Sequence, residues 1–416
     1  MRGFTTSVVH SDRSSPIEHG SLQKPIHATV AYGYDDVQDL ADVFQGKSSG
    51  YSYGRQVNPT VSALEEKITR MENSVATVCF GTGMGAIGTL LFALLRRGDH
   101  FVSSSFLFGN TNSLFQSFAA HGIEVSFVDA TKTDAVAEAI RPETKLVFVE
   151  TIANPVTQVS DLAGIGTLCR EHGLVYVVDN TMTSPYLFQP RTVDASLIVT
   201  SLTKYVGGHG NALGGSVTET GRFDWTAYDN IYDTYRKGDP AKWGITQIRK
   251  KGLRDFGAAI GAEAAHHLGV GAETLALRME RQCASAAALA GYLAGHPGVA
   301  KVFYPGLRIH PEYDRAKGLF RHPGALFSFE LADGIEPFPY LNRLKIVVKS
   351  SNLGDNRTLA IPVAHTIYHE MGPERRASMG IADSLIRISV GIEETEDLIE
   401  DFRAAFPNAS DQPHSS

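Results

Sequence analysis

Residues 201–205 read Ser201-Leu202-Thr203-Lys204-Tyr205, and the glycine-rich segment Val206-Gly207-Gly208-His209-Gly210 follows them. The apolar run at residues 197–200 is typical of a buried β-strand, so Lys204 lies just beyond a predicted strand end. Active sites of open α/β sheets collect at such ends. A lysine amine in this setting can form a Schiff base with an aldehyde cofactor, and an ordinary solvated loop lysine is the alternative interpretation.

The composition is that of an ordinary globular protein. Its 416 residues suggest roughly two or three domains, and a net charge of −7 without a basic tract argues against a nucleic-acid partner. No apolar run is long enough to span a membrane, and the N-terminus lacks an apolar signal region. Cys79, Cys169 and Cys283 form neither a disulfide pattern nor a metal-ligand spacing. We therefore expect a cytoplasmic protein without a metal site.

Short apolar runs alternate with helical patterns along much of the chain. Strands are predicted at residues 76–80, 100–103, 124–128, 146–150, 175–179 and 197–200, with helices at 86–96, 111–121, 134–140 and 162–172 between them. This βαβα order predicts a mostly parallel sheet with helices on both faces. Beyond residue 256 the pattern changes to helices at 258–267 and 275–294, followed by mixed elements that end in a helix at 397–406.

These patterns predict four regions along the chain. Residues 1–58 form an extended arm, because they are rich in His, Ser, Gly and Tyr and lack periodicity. Residues 59–255 form the larger α/β domain, and residues 256–406 form a smaller α+β domain. The polar residues 407–416 are expected to be a disordered tail.

A glycine-rich run at residues 81–88 follows a predicted strand and begins a helix. Such a run presents backbone N–H groups and the positive helix end to an anion, usually a phosphate. Gly83, Gly85 and Gly88 also match G-x-G-x-x-G, a dinucleotide pattern that requires an acidic residue closing the next strand. That strand ends in Ser103 and Ser104 instead, which favours a single phosphate. A tight turn without a ligand is the third interpretation.

Asp179 ends the predicted strand at residues 175–179, where a buried carboxylate is costly unless a cation pairs with it. A protonated pyridine nitrogen would be such a cation, and the carboxylate would keep the ring positively charged. Capping of the next turn is an equally ordinary role for aspartate. Lys204 follows one strand later, which favours a cofactor site.

Two arginines are candidate anion ligands. Tyr53 and Arg55 lie two residues apart in a loop, so both can reach phosphate oxygens. Arg387 lies inside the apolar, strand-like run at residues 385–390 and needs a counter-ion there. A substrate carboxylate or a structural salt bridge would serve equally.

Together these segments resemble the pyridoxal-phosphate (PLP) enzymes of cysteine and methionine metabolism, such as cystathionine γ-synthase, O-acylhomoserine sulfhydrylase and methionine γ-lyase. The resemblance runs from about Tyr51 to Phe406. It implies an aminotransferase-like α/β fold (fold type I), with a large, mostly parallel sheet domain and a smaller α+β C-terminal domain. The matching segments are residues 53–60, 83–84, 150–155, 179–181 and 201–205.

The resemblance implies a role for each matching residue. Lys204 would hold the cofactor and then shuttle protons, and Asp179 would pair with the pyridine nitrogen. Arg387 would bind the substrate carboxylate, beside Ser351 and Asn352. Tyr53 and Arg55 would bind the phosphate of a neighbouring subunit, which implies at least a dimer and usually a homotetramer. The remaining implied cofactor contacts are Gly83, Met84, Phe108, Asn154, Thr181, Ser201 and Thr203.

Two departures from the family pattern bear on the reaction. The family usually stacks a tyrosine on the cofactor ring, whereas this chain has Phe108, which lacks the hydroxyl that lyases are thought to use on a thiol leaving group. His365 is out of register with the histidines of its relatives, so we assign it no catalytic role. We expect γ-replacement on an O-acylhomoserine by a sulfur nucleophile. A PLP-dependent carbon–sulfur lyase is the alternative, and an NAD(P)-dependent oxidoreductase is a remote one.

Overall fold

The computed structural model, which describes residues 3–14 and 17–407, contains two sheets. Within these residues the larger sheet has seven strands in the order β1-β7-β6-β5-β4-β2-β3. They are β1 (Ala76–Phe80), β2 (His100–Ser104), β3 (Glu124–Val128), β4 (Thr144–Glu150), β5 (Val175–Asp179), β6 (Leu197–Thr200) and β7 (Gly215–Glu219).

Strands β2 to β6 pair in parallel, as the alternating pattern predicts. Strand β7 was not predicted and pairs antiparallel with both β1 and β6. Its sequence, residues 215–219, begins with glycine and has a single aliphatic residue, Val217, so it carries no apolar run that would identify it. It forms a strand because its backbone hydrogen-bonds to a strand on either side.

The helices around this sheet begin and end at recognisable residues. The helix α3 begins at Pro59, and the Asn58 side chain accepts hydrogen bonds from the next turn. The predicted helices between the strands agree with those observed to within three residues at each end. The bounds are α3 (Pro59–Met71), α4 (Gly83–Leu94), α5 (Gly109–Phe118), α6 (Thr133–Ala139), α7 (Leu162–His172), α8 (Ser184–Leu187), α9 (Trp243–Gln247), a π-helix at Ile248–Leu253 and α10 (Arg254–Phe256).

The N-terminal region is only partly extended. It contains the helices α1 (Phe4–Val9) and α2 (Val37–Gln45), so the arm predicted as extended includes two short helices. Val8 of α1 is buried, whereas α2 has no buried residue. Asp36 caps the start of α2, and the left-handed Gly46 ends it, which is why so short a helix forms there.

The second, five-stranded sheet has the order β10-β11-β12-β9-β8. Its pairs are antiparallel except β10 with β11. Its strands are β8 (Val299–Phe303), β9 (Leu326–Leu331), β10 (Val348–Lys349), β11 (Leu359–Pro362) and β12 (Leu385–Ser389). The helices of this part of the chain are α11 (Ala262–Glu273), α12 (Leu275–Ala294), α13 (Tyr313–Leu319), α14 (Pro337–Arg343), α15 (Pro373–Ser378) and α16 (Thr395–Ala405).

The helix α12 joins the cores of the two parts. Met279 and Cys283 pack in the core of the larger sheet, and Leu289 and Leu293 pack in the core of the smaller one. The helix predicted at 258–267 begins later, at Ala262, because the backbone of residues 258–259 pairs with the end of β1. The predicted disordered tail, apart from Pro407, lies outside the described residues.

Candidate active site

Lys204 lies just beyond the end of β6, in a cavity lined by residues from both parts of the protein. Its Nζ donates a hydrogen bond to Asn352 Oδ1 at 2.7 Å. Burial, together with the positive charge of Arg387, lowers the pKa of the amine to about 8. At neutral pH more of this amine is neutral, and therefore nucleophilic, than in an exposed lysine.

The loop after Lys204 is held by a buried arginine of α12. The guanidinium of Arg278 donates to the carbonyl oxygens of Tyr205 and Val206 at 2.6 and 3.1 Å. Gly208 adopts a φ of +71°, and a Cβ added there would lie 2.2 Å from the Arg278 Nη1 atom. The glycine therefore lets the loop pass directly over the guanidinium, which fixes the backbone from which Lys204 projects.

Asp179 and Glu150 are neighbours at the carboxyl ends of β5 and β4. Burial raises the pKa of Asp179 to about 6, although Thr181 donates hydrogen bonds that oppose the shift. Burial and the charge of Asp179 raise the pKa of Glu150 well above its ordinary value. Asp179 does cap the following turn, since its Oδ1 accepts from Thr181 N at 2.9 Å. The carboxyl group still lies in the cavity lining, so Asp179 can cap the turn and also pair with a cationic ring nitrogen.

The helix α4 points its N-terminus at the same cavity. Thr82 caps it through a hydrogen bond from Gly85 N to Thr82 Oγ1. A Cβ added at Gly83 would lie 2.8 Å from Ser201 Cβ, so only glycine allows the loop before Lys204 to lie against this helix end. Free N–H groups and the positive end of the helix dipole make this a suitable phosphate site.

Arg387, on β12, is the second cation in the cavity. It is 2 % exposed, and no carboxylate of the described residues lies within 4 Å of its guanidinium. Its Nη2 donates to the carbonyl oxygens of Ser351 and Asn352, each at 2.9 Å, and Nη1 donates to Asn154 Oδ1 at 3.3 Å. Its Nε has no partner. The structural salt bridge is therefore not observed, and the buried cation remains able to bind an anion.

The cavity encloses about 690 Å³ and brings together most of the predicted site residues. The predicted residues that line it are Gly83, Met84, Phe108, Asn154, Asp179, Thr181, Ser201, Thr203, Lys204, Ser351, Asn352 and Arg387. His365 is exposed beside Phe338 and does not line it.

Tyr53 and Arg55 do not line the cavity of their own protomer. Both are exposed, the Arg55 guanidinium lies 5.3 Å from the Tyr53 ring centroid, and Arg55 donates to the carbonyl oxygen of Arg254. Their predicted contact with a neighbouring subunit stays a prediction.

Several lining residues are not among those that the sequence predicts. Glu150 ended a predicted strand beside Asp179, and that position was the signal that could have identified it. Asn211 and Leu213, in the loop after Lys204, and Ile367 carry no distinctive pattern; their place in the lining depends on how the loops fold.

The described residues contain neither a candidate metal site nor a candidate membrane-spanning helix. No group of three or more His, Cys, Asp or Glu side chains there could hold a metal ion. None of the described helices is long and apolar enough to cross a membrane.

These groups fit pyridoxal phosphate. Lys204 offers a half-buried amine of lowered pKa to the aldehyde, and Asp179 lies in the lining without a cation within 4 Å among the described residues. The N-terminus of α4, with Ser201 and Thr203, offers donors for a phosphate. The arrangement therefore suits covalent catalysis through the Lys204 amine, beside a buried arginine that is able to bind an anion.

Comparison with known proteins agrees with this chemistry. The chain is 34% identical to the sulfhydrylase FUB7 of Gibberella moniliformis, over 98% of each chain. It is 35% identical to an L-methionine gamma-lyase of Fusobacterium nucleatum, over 96% of each. A crystal structure from Campylobacter jejuni, of a protein assigned to the O-acetylhomoserine (thiol)-lyases and containing N'-pyridoxyl-lysine-5'-monophosphate, has a TM-score of 0.91 and 28% identity, covering 97% of this chain and 99% of that one.

The model of the family described as "Cys/Met metabolism PLP-dependent enzyme" matches residues 5–407. This match favours the single-phosphate interpretation of the glycine-rich run over the dinucleotide one. The chain belongs to the pyridoxal-phosphate-dependent enzymes of cysteine and methionine metabolism.

Proposed function

We propose that this enzyme catalyses γ-replacement on an O-acylhomoserine, in which a sulfur nucleophile takes the place of the acyloxy group. Sulfide would give homocysteine, and cysteine would give cystathionine. Both belong to sulfur amino acid metabolism, and methionine biosynthesis is the pathway we propose.

The acids available in the cavity support this reaction. Apart from Lys204, Glu150 and Asp179, which have other parts in the site, the described lining residues include no general acid: tyrosine, histidine and cysteine are absent, and Phe108 stands where the family resemblance places a phenol. A thiolate leaves readily only when a general acid protonates it, whereas a carboxylate leaves without such help. The lining therefore suits an ester substrate better than a thioether.

Each polar group of the site has a part in this reaction. Arg387 would hold the substrate carboxylate through its unpaired Nε, and Asn352 would hold the Lys204 amine until the cofactor binds. The freed Lys204, with a pKa of about 8, would take the α-proton and move protons between carbon atoms. Pyridoxal phosphate, when bound, supplies a cationic ring that accepts electron density from the substrate, and Asp179 would stabilise that charge.

A carbon–sulfur lyase is the second candidate. The relative from Fusobacterium nucleatum is named a methionine gamma-lyase, and its identity to this chain equals that of the sulfhydrylase to within one percentage point. The two reactions share the early proton transfers and diverge only after the γ-substituent has departed.

We propose an assembly of at least two chains, and a homotetramer as its full form, in the cytoplasm. The N-terminal arm exposes Val37 and Phe44 of α2, at 78% and 66%, in addition to Tyr53. Apolar side chains exposed in this way are typical of a surface that another subunit covers. The free thiols of Cys79, Cys169 and Cys283 are consistent with a reducing compartment.

A product assay separates the two reactions. Purified holoenzyme given O-acetylhomoserine and sulfide should form homocysteine, measured by mass spectrometry, because the acyloxy group needs no acid to leave. Methionine or cystathionine alone should release little 2-oxobutanoate. Brisk 2-oxobutanoate release from these thioethers without a replacement product would assign the enzyme to the lyases.

The acetyl ester should be a better substrate than the succinyl ester. Lys204 and Arg387 are the cations among the described lining residues, and both already have a partner in the reaction, so a second substrate carboxylate would be buried without a counter-ion. We expect kcat/KM for O-acetylhomoserine to exceed that for O-succinylhomoserine by roughly tenfold or more. Equal values would show that another cation, from a neighbouring subunit, faces the acyl group.

A further inference from the structure

Glu150 touches the residue that is expected to cover the cofactor ring. Its Oε1 accepts a hydrogen bond from Phe108 N at 2.8 Å. Phe108 is the residue before α5, and its side chain does not cap that helix. The Glu150 carboxyl group therefore fixes the backbone of Phe108 directly, and with it the direction in which the aromatic ring leaves the backbone.

The surroundings of Glu150 favour its neutral form. Glu150 is 7% exposed, Asp179 faces it from the next strand, and no cation of the described residues lies within 4 Å of it. Tyr368 packs nearby through hydrogen bonds to the carbonyl oxygens of Asn154 and Leu107, and the cations Lys204 and Arg387 line the same cavity.

Two adjacent carboxyl groups, one buried and one half-buried, do not both ionise readily. Asp179 accepts hydrogen bonds from Thr181, so it is the better carrier of the single negative charge. Glu150 then remains a neutral hydrogen-bond acceptor.

We propose that Glu150 is a positioning residue, whose neutral carboxyl group holds Phe108 against the cofactor and leaves the charge of the pair on Asp179. This role depends on the length of the glutamate side chain and not on a negative charge. It applies to replacement and to elimination alike, and therefore does not depend on the proposed reaction.

Two conservative variants of Glu150 distinguish the effect of side-chain length from the effect of charge. Glu150→Gln keeps the length and an acceptor oxygen, whereas Glu150→Asp keeps the acid but is one methylene shorter. Each holoenzyme is measured by visible circular dichroism of the bound cofactor and by its cofactor dissociation constant. Glu219→Asp is the matched control, because Glu219 is also a buried glutamate at a strand end of the same sheet, where it accepts from Gly221 N and Trp225 Nε1 outside the cavity.

We expect Glu150→Asp to lose most of the cofactor dichroism and to bind the cofactor roughly tenfold more weakly, since Phe108 N–H loses its partner. Glu150→Gln should stay within about threefold of the wild-type dissociation constant and keep the dichroism. Glu219→Asp should lower the unfolding temperature and leave both cofactor signals unchanged. The proposal is overturned if Glu150→Gln is impaired as much as Glu150→Asp, or if Glu150→Asp keeps the wild-type dichroism and affinity.

Discussion

Replacement of Lys204 by alanine should reduce the turnover of the replacement reaction by about 10³-fold, because the site loses the base that moves the substrate protons. Other groups in the lining should not substitute for it, since Asp179 would pair with the cofactor ring, Glu150 accepts from Phe108 N and the hydroxyl groups are weak bases. The measurement is kcat with saturating O-acetylhomoserine and sulfide, at a cofactor concentration that keeps the variant loaded.

A covalent readout accompanies the kinetic one. After borohydride reduction, mass spectrometry should find the cofactor mass on the peptide that contains Lys204 in the wild type and on no peptide of the variant. Lys132→Ala is the control, because the Lys132 side chain is 74% exposed and lies outside the cavity. A Lys204→Ala enzyme that retains more than about a tenth of the turnover would contradict the assignment.

Replacement of Arg387 by leucine should cost about 2–5 kcal/mol of binding to the substrate carboxylate, the usual range when one partner of a buried charge pair is removed. That range corresponds to a loss in kcat/KM of roughly 30- to 5,000-fold. Most of the loss should appear in KM, because the carboxylate is bound in the ground state and the transition state alike. The measurement is steady-state kinetics over a wide range of acylhomoserine concentrations.

Cofactor binding serves as the internal control for this variant. The residues expected to hold the phosphate lie around the α4 N-terminus, so the cofactor dissociation constant should change little. Arg403→Leu removes an arginine that has a 62% exposed side chain and does not line the cavity, so it should leave kcat/KM unchanged. A normal KM in the Arg387 variant would show that the substrate carboxylate binds elsewhere.

The local sequence pattern is sufficient to predict the parallel strands at the centre of the larger sheet. The runs at residues 175–179 and 197–200 are apolar over a strand length, and the observed β5 and β6 have the same bounds. Such runs are reliable because strands covered on both faces need apolar side chains at every position. Strand β7 shows the limit, since it has no local signal strong enough to outweigh its glycine and polar residues. The helix α2 is a different case, because its apolar residues lie at helical spacing between the Asp36 cap and Gly46, so its sequence does carry a helix signal.

The burial and the hydrogen-bond partners of the site residues cannot be predicted from local sequence patterns. Arg387 read equally as a salt-bridged residue or as an anion ligand, and only the three-dimensional structure shows that carbonyl and amide oxygens surround it and that Nε is free. The contact between Glu150 and Phe108 joins residues 42 positions apart, so no local pattern predicts it.

The sequence by itself determined the cofactor chemistry, because the lysine beyond a strand end, the aspartate one strand earlier and the glycine-rich helix start are each defined by a few adjacent residues. The tertiary structure alone decided the electrostatics of the site: a lysine with a pKa of about 8, an arginine without a carboxylate, and two carboxyl groups side by side. The physical reason is that pKa values and free hydrogen-bond donors depend on desolvation and on charges from distant segments, which meet only when the two sheets pack together.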